Sequence, residues 1–528
     1  MIVAYCMSYC GVLCRASLWG GIKRVGVKTE QVCNKRNWAR DYWQVSLYRR
    51  VTYFLGIIIT MFKLRYLYKT IAMIALLLVA GLSAYGLSYL KRLGPIPAGY
   101  VSHTICSGIF IAGRDYNDIY ATDISQLQRR LTRTQIDGNT VITQFGFWPI
   151  EYISKTVFRP GLGCARLEGD EIVDLEGPAF LERNIVATAQ QNIAWPEFVN
   201  APTGVNTAKL NAAMDRAFSD TAINYEERQN TRAVVIFYKG QLIAERYAEG
   251  FGPQVPLNSW SMTKSATSAL VGILVGRGQI DVANTSGLQG WDNPADLRSQ
   301  VTVEHLLQMT SGLEFNEGYE EDPISDVNFM LMKAQNLTTF ASQYSVTAEP
   351  GTRWAYQTAS PVLLGRIIRD SFTSEEAYHH FPQSALFNKL GMENAHYQMD
   401  GGGTYVGGAF LYATARDWAR FGLMYLNNGV VNGEQILPKG WVEFSTNATE
   451  ASKKARAYAA QFWLNQNSAH KMMPRVPEDA YAARGHYGQS TFIIPSRQLV
   501  VVRMGHSFST DAWDMEDFLV DVLGAITD

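Results

Sequence analysis

A serine and a lysine stand one helical turn apart in the stretch "WSMTKSATSALVG", which covers residues 260–272. Ser261 offers a hydroxyl that can act as a nucleophile, and Lys264 offers an amine that can take up its proton. A separation of three residues on a helix places both side chains on one side, within reach of each other. The pair is therefore a candidate for nucleophilic acyl transfer, provided that the chain builds a site around it.

The Ser-x-x-Lys spacing alone decides nothing, because Ser88/Lys91 and Ser468/Lys471 repeat it. Those two pairs lie beside an apolar segment and in a polar run, and neither place implies a pocket. At Ser261 the chain enters a helix of small residues, whose N-terminal N–H groups and dipole stabilise negative charge. Burial of its first turn lowers the pKa of the lysine towards that of a general base. The alternative is a serine N-cap followed by a solvated lysine.

The elements around this pair indicate an α+β fold. Residues 231–248 form two apolar, β-rich runs around Lys239-Gly240, which predicts a β-hairpin. Strand patterns return at 490–505. A hairpin first and strands late, with helices between them, predict an antiparallel sheet flanked by helices. Helical patterns occupy 261–277, 302–310, 359–370, 414–427 and 511–526.

Further stretches follow "SMTKS" in a recognisable order. They are "VTVEHLLQMTSGLEF" at 301–315, "EPGTRWAYQTASPVLLGRIIRD" at 349–370, "GGAFLYATARDWARFGLMYLNNG" at 407–429 and "ARGHYGQSTFIIPSRQLVVVRMG" at 483–505. With them, residues 230–528 resemble the serine β-lactamase and penicillin-binding-protein superfamily. The similar branch holds class C β-lactamases, esterases, D-alanyl-D-alanine peptidases and 6-aminohexanoate-dimer hydrolases. The resemblance implies their β-lactamase/transpeptidase-like α+β fold.

The resemblance assigns roles to single positions. Ser261 matches the nucleophile and Lys264 the lysine one turn later. Tyr356, in "YQT", matches the tyrosine of the second motif, although without the resemblance it reads as a core aromatic beside Trp354. Thr358 stands where the family often has Asn or Ser, so it keeps a hydroxyl but offers no amide to a substrate.

The third motif departs from the family pattern. His486-Tyr487-Gly488 replaces the Lys-Thr-Gly of many β-lactamases. Gly488 keeps the small residue that lets a substrate lie against the strand, and the N–H of Gln489 joins that of Ser261 as the implied oxyanion hole. A histidine binds a substrate carboxylate more weakly than the lysine does, which argues against an efficient β-lactamase. His486 lines the site on this interpretation, and the alternative is a packing residue at the strand start.

The resemblance thus implies a serine hydrolase that cleaves a small amide or ester through an acyl-enzyme on Ser261. The general base is Lys264 or Tyr356, and the sequence leaves that choice open. Two alternatives also stay open. One is a non-catalytic binder or sensor of cell-wall peptides with the same fold, and the other is a β-lactamase or D,D-peptidase.

Composition and absent motifs exclude other classes. Among 528 residues, 47 Lys and Arg stand against 48 Asp and Glu, so the chain lacks the positive field that binds nucleic acid. No Gly-x-Ser-x-Gly elbow occurs, which removes the usual sign of an α/β-hydrolase. His379-His380 has no second ligand cluster at metal spacing, so we expect neither a metal nor another cofactor.

Residues 70–90 form the strongest local deviation in composition, because all twenty-one are uncharged. As a helix they would cross a hydrocarbon core of about 30 Å. Lys63, Arg65 and Lys69 precede them and favour a cytoplasmic N-terminus. We therefore predict a single-pass inner-membrane anchor with the later chain on the periplasmic side. The alternative is a signal peptide cleaved after Ala84.

The rest of the chain divides on either side of this segment. Residues 1–60 hold apolar patches without a clear period, and we interpret them as a possible upstream extension, since Met61 opens a basic and then apolar stretch typical of exported proteins. Residues 94–190 form a small exported N-terminal segment, and residues 195–528 form the hydrolase domain.

The cysteines agree with export. Cys106 and Cys164 are the two that follow the apolar segment, so we predict a disulfide between them in an oxidising compartment. The other four have no histidine near them, and we interpret them as an incidental cluster rather than a metal site: Cys6, Cys10, Cys14 and Cys33.

Overall fold

The computed structural model describes residues 38–147, 150–167, 203–466 and 471–527. The chain divides into two compact units, and the division falls between Ala84 and Tyr85. The four N-terminal cysteines and the last part of the segment 94–190 lie outside the described residues, as does most of the proposed extension 1–60.

The helices of the described residues are numbered in chain order. They are α1 Trp38–Leu93, α2 Pro95–Phe110, α3 Tyr116–Thr122, α4 Gln126–Leu131, α5 Thr207–Ala217, α6 Thr263–Gly276, α7 Val303–Leu307, α8 Asp326–Met332, α9 Leu337–Ser342, α10 Ala359–Asp370, α11 Glu375–Pro382, α12 Asn388–Leu390, α13 Ala415–Leu426, α14 Trp441–Thr446, α15 Glu450–Lys453 and α16 Met515–Ala525.

The strands are numbered in the same way. They are β1 Thr132–Asp137, β2 Thr140–Phe147, β3 Ile150–Arg159, β4 Gly163–Leu167, β5 Thr231–Tyr238, β6 Gln241–Tyr247, β7 Leu257–Asn258, β8 His396–Tyr397, β9 Leu411–Ala413, β10 Val430–Val431, β11 Glu434–Gln435, β12 Tyr458–Ala459, β13 Phe462–Leu464, β14 Tyr481–Gly485, β15 Gln489–Ile494 and β16 Leu499–Gly505.

In the described residues, the first unit consists of the part of the long helix α1 that ends at Ala84. The whole helix contains the predicted span 70–90. The helical stretch from Tyr42 to Phe110 is the one stretch in the described ranges that is long and apolar enough to cross a membrane, and its most apolar window has no buried side chain. Its length and composition are those of a membrane-spanning helix, and a signal sequence meets the same criteria.

A seven-stranded antiparallel sheet forms the centre of the second unit, in the order β12-β13-β14-β15-β16-β5-β6. The predicted hairpin is present as β5 and β6, and the predicted late strands are present as β15 and β16. Because β16 pairs with β5, the last strand in the sequence joins the first hairpin of the sheet, with Val502 opposite Val235. This pairing joins the early and the late part of the segment 195–528.

Both faces of this sheet are covered, which explains why β5 is buried along its whole length. Alternate residues of a strand face opposite sides. Val235 and Phe237 belong to the larger core, which contains residues of α6, α10 and α13. Val234 and Ile236 belong to a second core, which contains residues of α5 and α16. The predicted α+β fold, an antiparallel sheet flanked by helices, is confirmed.

The part of the second unit that precedes the main sheet is a small layer of its own. Helix α2 packs on the four-stranded antiparallel sheet β1-β2-β3-β4. The hydroxyl of Ser102 on α2 shares hydrogen bonds with those of Ser154 and Thr156 on β3, at 3.0 and 2.8 Å. A disulfide joins Cys106 of α2 to Cys164 of β4, as predicted.

This layer is packed directly against elements of the later part of the second unit. A Cβ atom on Gly99 of α2 would lie 1.8 Å from the carbonyl oxygen of Met332, so only glycine permits the backbone contact with α8. On the sheet side, Arg159 of β3 donates to the carbonyl oxygens of Met399 and Asp400, at 2.8 and 3.1 Å. Residues 94–167 are therefore packed as part of the second unit.

Candidate active site

Ser261 lies in a short 3-10 turn, Trp260–Met262, which leads directly into α6. Trp260 takes a left-handed conformation with φ of 48°, and its N–H donates to Oδ1 of Asn258 at 3.0 Å. The predicted position of the serine at a helix start is thus observed. The turn aims the side chain of Ser261 into a cavity.

Lys264 is fully buried, with 1% of its surface exposed. Its ammonium donates to Ser261 Oγ at 2.8 Å, to Thr358 Oγ1 at 3.0 Å and to the carbonyl oxygen of Gly408 at 3.0 Å. Burial lowers the pKa of Lys264 to about 8, although the nearby carboxylate of Glu317 acts to raise it. The lysine is therefore not the solvated residue of the alternative interpretation, and it can exchange a proton with Ser261 near neutral pH.

Thr358, predicted at the substrate-binding wall, lies behind that wall and is 2% exposed. Its hydroxyl accepts from Lys264 and donates to Oε1 of Glu317 at 2.5 Å, so it connects the lysine to a carboxylate. Burial raises the pKa of Glu317, while Lys264 and Thr358 act to lower it. Sequence reasoning missed Glu317, whose one signal was its place in the loop after "TSGLEF".

Tyr356 is part of the same group of side chains. Its ring centroid lies 5.1 Å from the Lys264 ammonium, and it packs on Trp463 at 4.9 Å between centroids. Burial raises the pKa of Tyr356 well above its usual value, and Glu317 raises it further, while a hydrogen bond with Ser261 acts to lower it. The phenol is thus protonated at neutral pH. It lies beside Ser261, the nucleophile with which it was predicted to act.

His486 stands at the end of β14 in an aromatic cluster. Its ring contacts those of Tyr487, Tyr319 and Trp260, with centroid distances of 3.8, 5.0 and 5.6 Å. Burial lowers the pKa of His486 to about 4, so the imidazole is neutral at pH 7. It lines the cavity and also packs, which combines the two interpretations of the sequence.

The structure explains why the third motif has a glycine at position 488. Gly488 has φ of 79°, and a Cβ there would lie 2.5 Å from Nη1 of Arg503. The next residue, Gln489, is fixed by its side chain, which accepts from the N–H of Gly505 at 2.8 Å and donates to the carbonyl oxygen of the same residue. Two hydrogen bonds to the main chain of Gly505 therefore fix the side chain of the first residue of β15.

The end of β14 lies against the turn that carries Ser261. A Cβ atom on Gly485 would come within 2.3 Å of the carbonyl oxygen of Ser259, so the two segments touch through their main chains. The implied oxyanion donors are the N–H groups of Ser261, in this turn, and of Gln489, the first residue of β15, which pairs with Gly485. Donors on adjacent main-chain segments suit the negative oxygen of a tetrahedral intermediate.

A cavity of about 920 Å³ brings most of the predicted residues together. Ser261, Tyr356, His486, Gly488 and Gln489 line it, and buried Lys264 and Thr358 lie behind Ser261. Its walls also carry both charges, with the acidic side chains Glu317, Glu320, Glu321, Asp511, Asp514 and Glu516 and the basic side chains Arg456 and Arg484. Within the described ranges, no three His, Cys, Asp or Glu side chains are grouped to hold a metal ion.

A family model described as Beta-lactamase matches residues 218–524, which is more than half of the chain. The chain belongs to the beta-lactamase family. The match includes every residue of the predicted site and leaves α2 and β1 to β4 outside it. With this family membership, the chain is a β-lactamase-related serine hydrolase.

Relatives within this family carry several names. A 6-aminohexanoate-dimer hydrolase of Paenarthrobacter ureafaciens is 24% identical over 298 residues, which are 53% of this chain and 73% of the relative. A solved structure from Bacillus anthracis, provisionally described as a 6-aminohexanoate-dimer hydrolase, is 26% identical and covers 62% of this chain and 84% of its own, with a TM-score of 0.49. A family VIII carboxylesterase is 15% identical and covers 62% and 98%, with a TM-score of 0.45.

Proposed function

We propose that the chain cleaves a small amide or ester through an acyl-enzyme formed on Ser261. The observation that carries this proposal is the 2.8 Å contact between Lys264 Nζ and Ser261 Oγ, made by a lysine whose pKa burial lowers to about 8. A base with a pKa near the working pH exists in both protonation states, as general base catalysis requires.

Lys264 is the general base in this proposal. Its neutral amine takes the proton of Ser261 as the hydroxyl attacks the substrate carbonyl, and the hydroxyl of Thr358 and the carbonyl of Gly408 hold the resulting ammonium. Tyr356 acts as the acid, because a phenol with a raised pKa is protonated and can donate to the leaving group. Its contact with Ser261 places the donor beside the reacting bond.

The oxyanion is held by the N–H groups of Ser261 and Gln489 as the carbonyl becomes tetrahedral. The tetrahedral adduct collapses, the carbonyl–heteroatom bond breaks, and the leaving group departs with a proton from Tyr356. Water then attacks the ester on Ser261, with the same groups acting in reverse, and the free acid is released.

A small amide or ester is favoured over a β-lactam as the substrate. The relative from Paenarthrobacter ureafaciens is a hydrolase named for a small dimeric compound. His486 stands where many β-lactamases have a lysine, and its lowered pKa of about 4 leaves no positive charge there for the carboxylate of a β-lactam.

Covalent labelling tests this proposal. We expect a fluorophosphonate probe to label the full-length protein at Ser261, and we expect S261A to lose both the label and the hydrolysis of p-nitrophenyl esters. Ser299→Ala is the matched control, because its hydroxyl bonds to a backbone carbonyl away from the cavity. Folded wild-type protein that takes no label would instead support the non-catalytic binder of cell-wall peptides.

We further propose that the chain is anchored in the inner membrane with its hydrolase region in the periplasm. The apolar helix, the basic residues before it and the Cys106–Cys164 disulfide support this location, because disulfides persist in oxidising compartments. Protease added to spheroplasts should digest the hydrolase region without lysis. Digestion only after lysis would place that region in the cytoplasm and overturn the proposal.

A further inference from the structure

Two residues beside the implied oxyanion donors adopt strained backbone conformations. Trp260 directly precedes Ser261 and has φ of 48°, and Tyr487 comes two residues before Gln489 and has φ of 61°. Aromatic residues seldom adopt positive φ, so the surrounding structure must hold both in place. The direction of each donor N–H depends on the backbone that these two residues set.

One side chain from outside the family match contacts both of them. The ring of Tyr100, on α2, lies parallel to that of Trp260, with 8° between the planes and 6.2 Å between the centroids. The hydroxyl of Tyr487 donates to the hydroxyl of Tyr100 at 3.1 Å.

Tyr100 is itself held firmly, so it can fix its two neighbours. It is 7% exposed, and its hydroxyl donates onward to the carbonyl oxygen of Asp123 at 3.1 Å. The carboxylate of Asp123 pairs with Arg114 at 2.7 Å and also with Arg232 of the central sheet. A chain of ordered groups thus runs from the central sheet through Asp123 and Tyr100 to Tyr487.

The left-handed residue Tyr487 is also held at its main chain. Its carbonyl oxygen accepts from Nη1 of Arg503 at 3.0 Å and from the N–H of Ser507 at 3.2 Å. Its ring packs between His486 and His506, with centroid distances of 3.8 and 4.0 Å. The hydroxyl is the polar atom of the side chain, and Tyr100 provides its partner.

From this geometry we infer that Tyr100 is a positioning residue for the oxyanion hole. It fixes Trp260 by stacking and Tyr487 by a hydrogen bond, and so sets the separation of the Ser261 and Gln489 N–H groups. The segment 94–167 then contributes, through Tyr100, to the geometry of the active site. This inference rests on the proposed acyl-enzyme mechanism, because the oxyanion hole matters only if Ser261 forms a tetrahedral intermediate.

The test uses the full-length chain in detergent with p-nitrophenyl butyrate as the substrate. Y100F removes the hydroxyl and keeps the ring on Trp260, and Y487F removes the same hydrogen bond from its other end. Tyr120→Phe is the matched control, because its hydroxyl donates to the carbonyl oxygen of Arg129 at 2.9 Å within the same segment. A thermal unfolding curve for each variant shows whether the fold is retained.

We expect Y100F and Y487F each to lower kcat about tenfold with KM changed less than about threefold, since loss of oxyanion stabilisation acts on the transition state. The double variant should lose no more than either single variant, because both remove one bond. Y120F should keep the wild-type kcat. If Y100F keeps the wild-type kcat while S261A is inactive, the inference is wrong and the proposed function stands. If S261A keeps its activity, the proposed function itself fails.

Discussion

Glu317 holds Thr358 at two points, since one carboxylate oxygen accepts the hydroxyl at 2.5 Å and the other accepts the main-chain N–H at 2.7 Å. This double contact fixes the threonine hydroxyl so that its free electron pair faces Lys264 at 3.0 Å. The carboxylate therefore reaches the lysine through one intervening hydroxyl. A charge at that distance affects how readily the lysine gives up its proton.

The variant Glu317→Gln should lower the pKa of Lys264 further, because the negative charge of Glu317 raises it. We expect the acidic limb of the kcat/KM profile for p-nitrophenyl butyrate to move to lower pH by about one unit. Glu314→Gln, on the same loop and exposed to solvent, is the control and should leave the limb in place. A limb that stays unmoved in E317Q would show that the carboxylate does not act on the lysine.

The wild-type profile should itself report Lys264. Because the neutral amine is the active form and the pKa of the lysine is about 8, kcat/KM should rise about tenfold per pH unit below that value and level off above it. Lys264→Met should remove the limb and lower kcat/KM about a thousandfold. The control is Lys239→Met in the exposed turn between β5 and β6. A profile that is flat from pH 6 to 9 would exclude the lysine as the base.

The neutral state of His486 predicts poor activity on β-lactams. A chromogenic cephalosporin should be hydrolysed with a kcat/KM at least about a hundredfold below that for p-nitrophenyl butyrate, because its carboxylate finds no cation in place of the motif lysine. Replacing His486 by Gln exchanges one neutral side chain for another and should leave the cephalosporin rate within about threefold. Comparable rates on the two wild-type substrates would contradict this interpretation.

The disulfide should stabilise the second unit. Cys106 and Cys164 are 58 residues apart, so removing the cross-link restores chain entropy to the unfolded state worth about 4 kcal/mol. We expect Cys106→Ala to lower the melting temperature in unreduced buffer, and we expect a reducing agent to do the same to the wild type. The reducing agent should have no effect on the variant. Identical melting curves with and without reductant would mean that the bond does not form in the purified protein.

Local patterns predicted the elements that carry the site. Small residues after Ser261 predict α6, and the apolar runs around Lys239-Gly240 predict the hairpin, since each signal depends on neighbours in the sequence. The predicted helix at 302–310 is shorter in the structure, where α7 ends at Leu307 and Met309 has φ of 58°. Such an early end depends on tertiary contacts that no sequence period records.

The contacts made by long loops and by distant segments could not be predicted from the sequence. Glu317 reaches Thr358 across 41 residues, and Tyr100 reaches Tyr487 across 387 residues. The path of the chain between those positions decides such contacts, and no periodicity encodes it. The motif glycine shows the same limit of sequence reasoning. The sequence predicted that Gly488 makes room for a substrate, and the structure shows that the guanidinium of Arg503 also leaves no room for a side chain there.

The pairing of Arg232 with Asp123 has a practical consequence for making shorter versions of this protein. Arg232 is 5% exposed, and its carboxylate partner comes almost a hundred residues before the start of the family match at residue 218. A recombinant fragment that began at 218 would strand this guanidinium without its counter-ion, at a cost of several kcal/mol. It would also uncover Phe410, on which the ring of His103 packs at 4.0 Å. Gene truncations should therefore begin no later than residue 94, because the boundary of the family is not a boundary of folding.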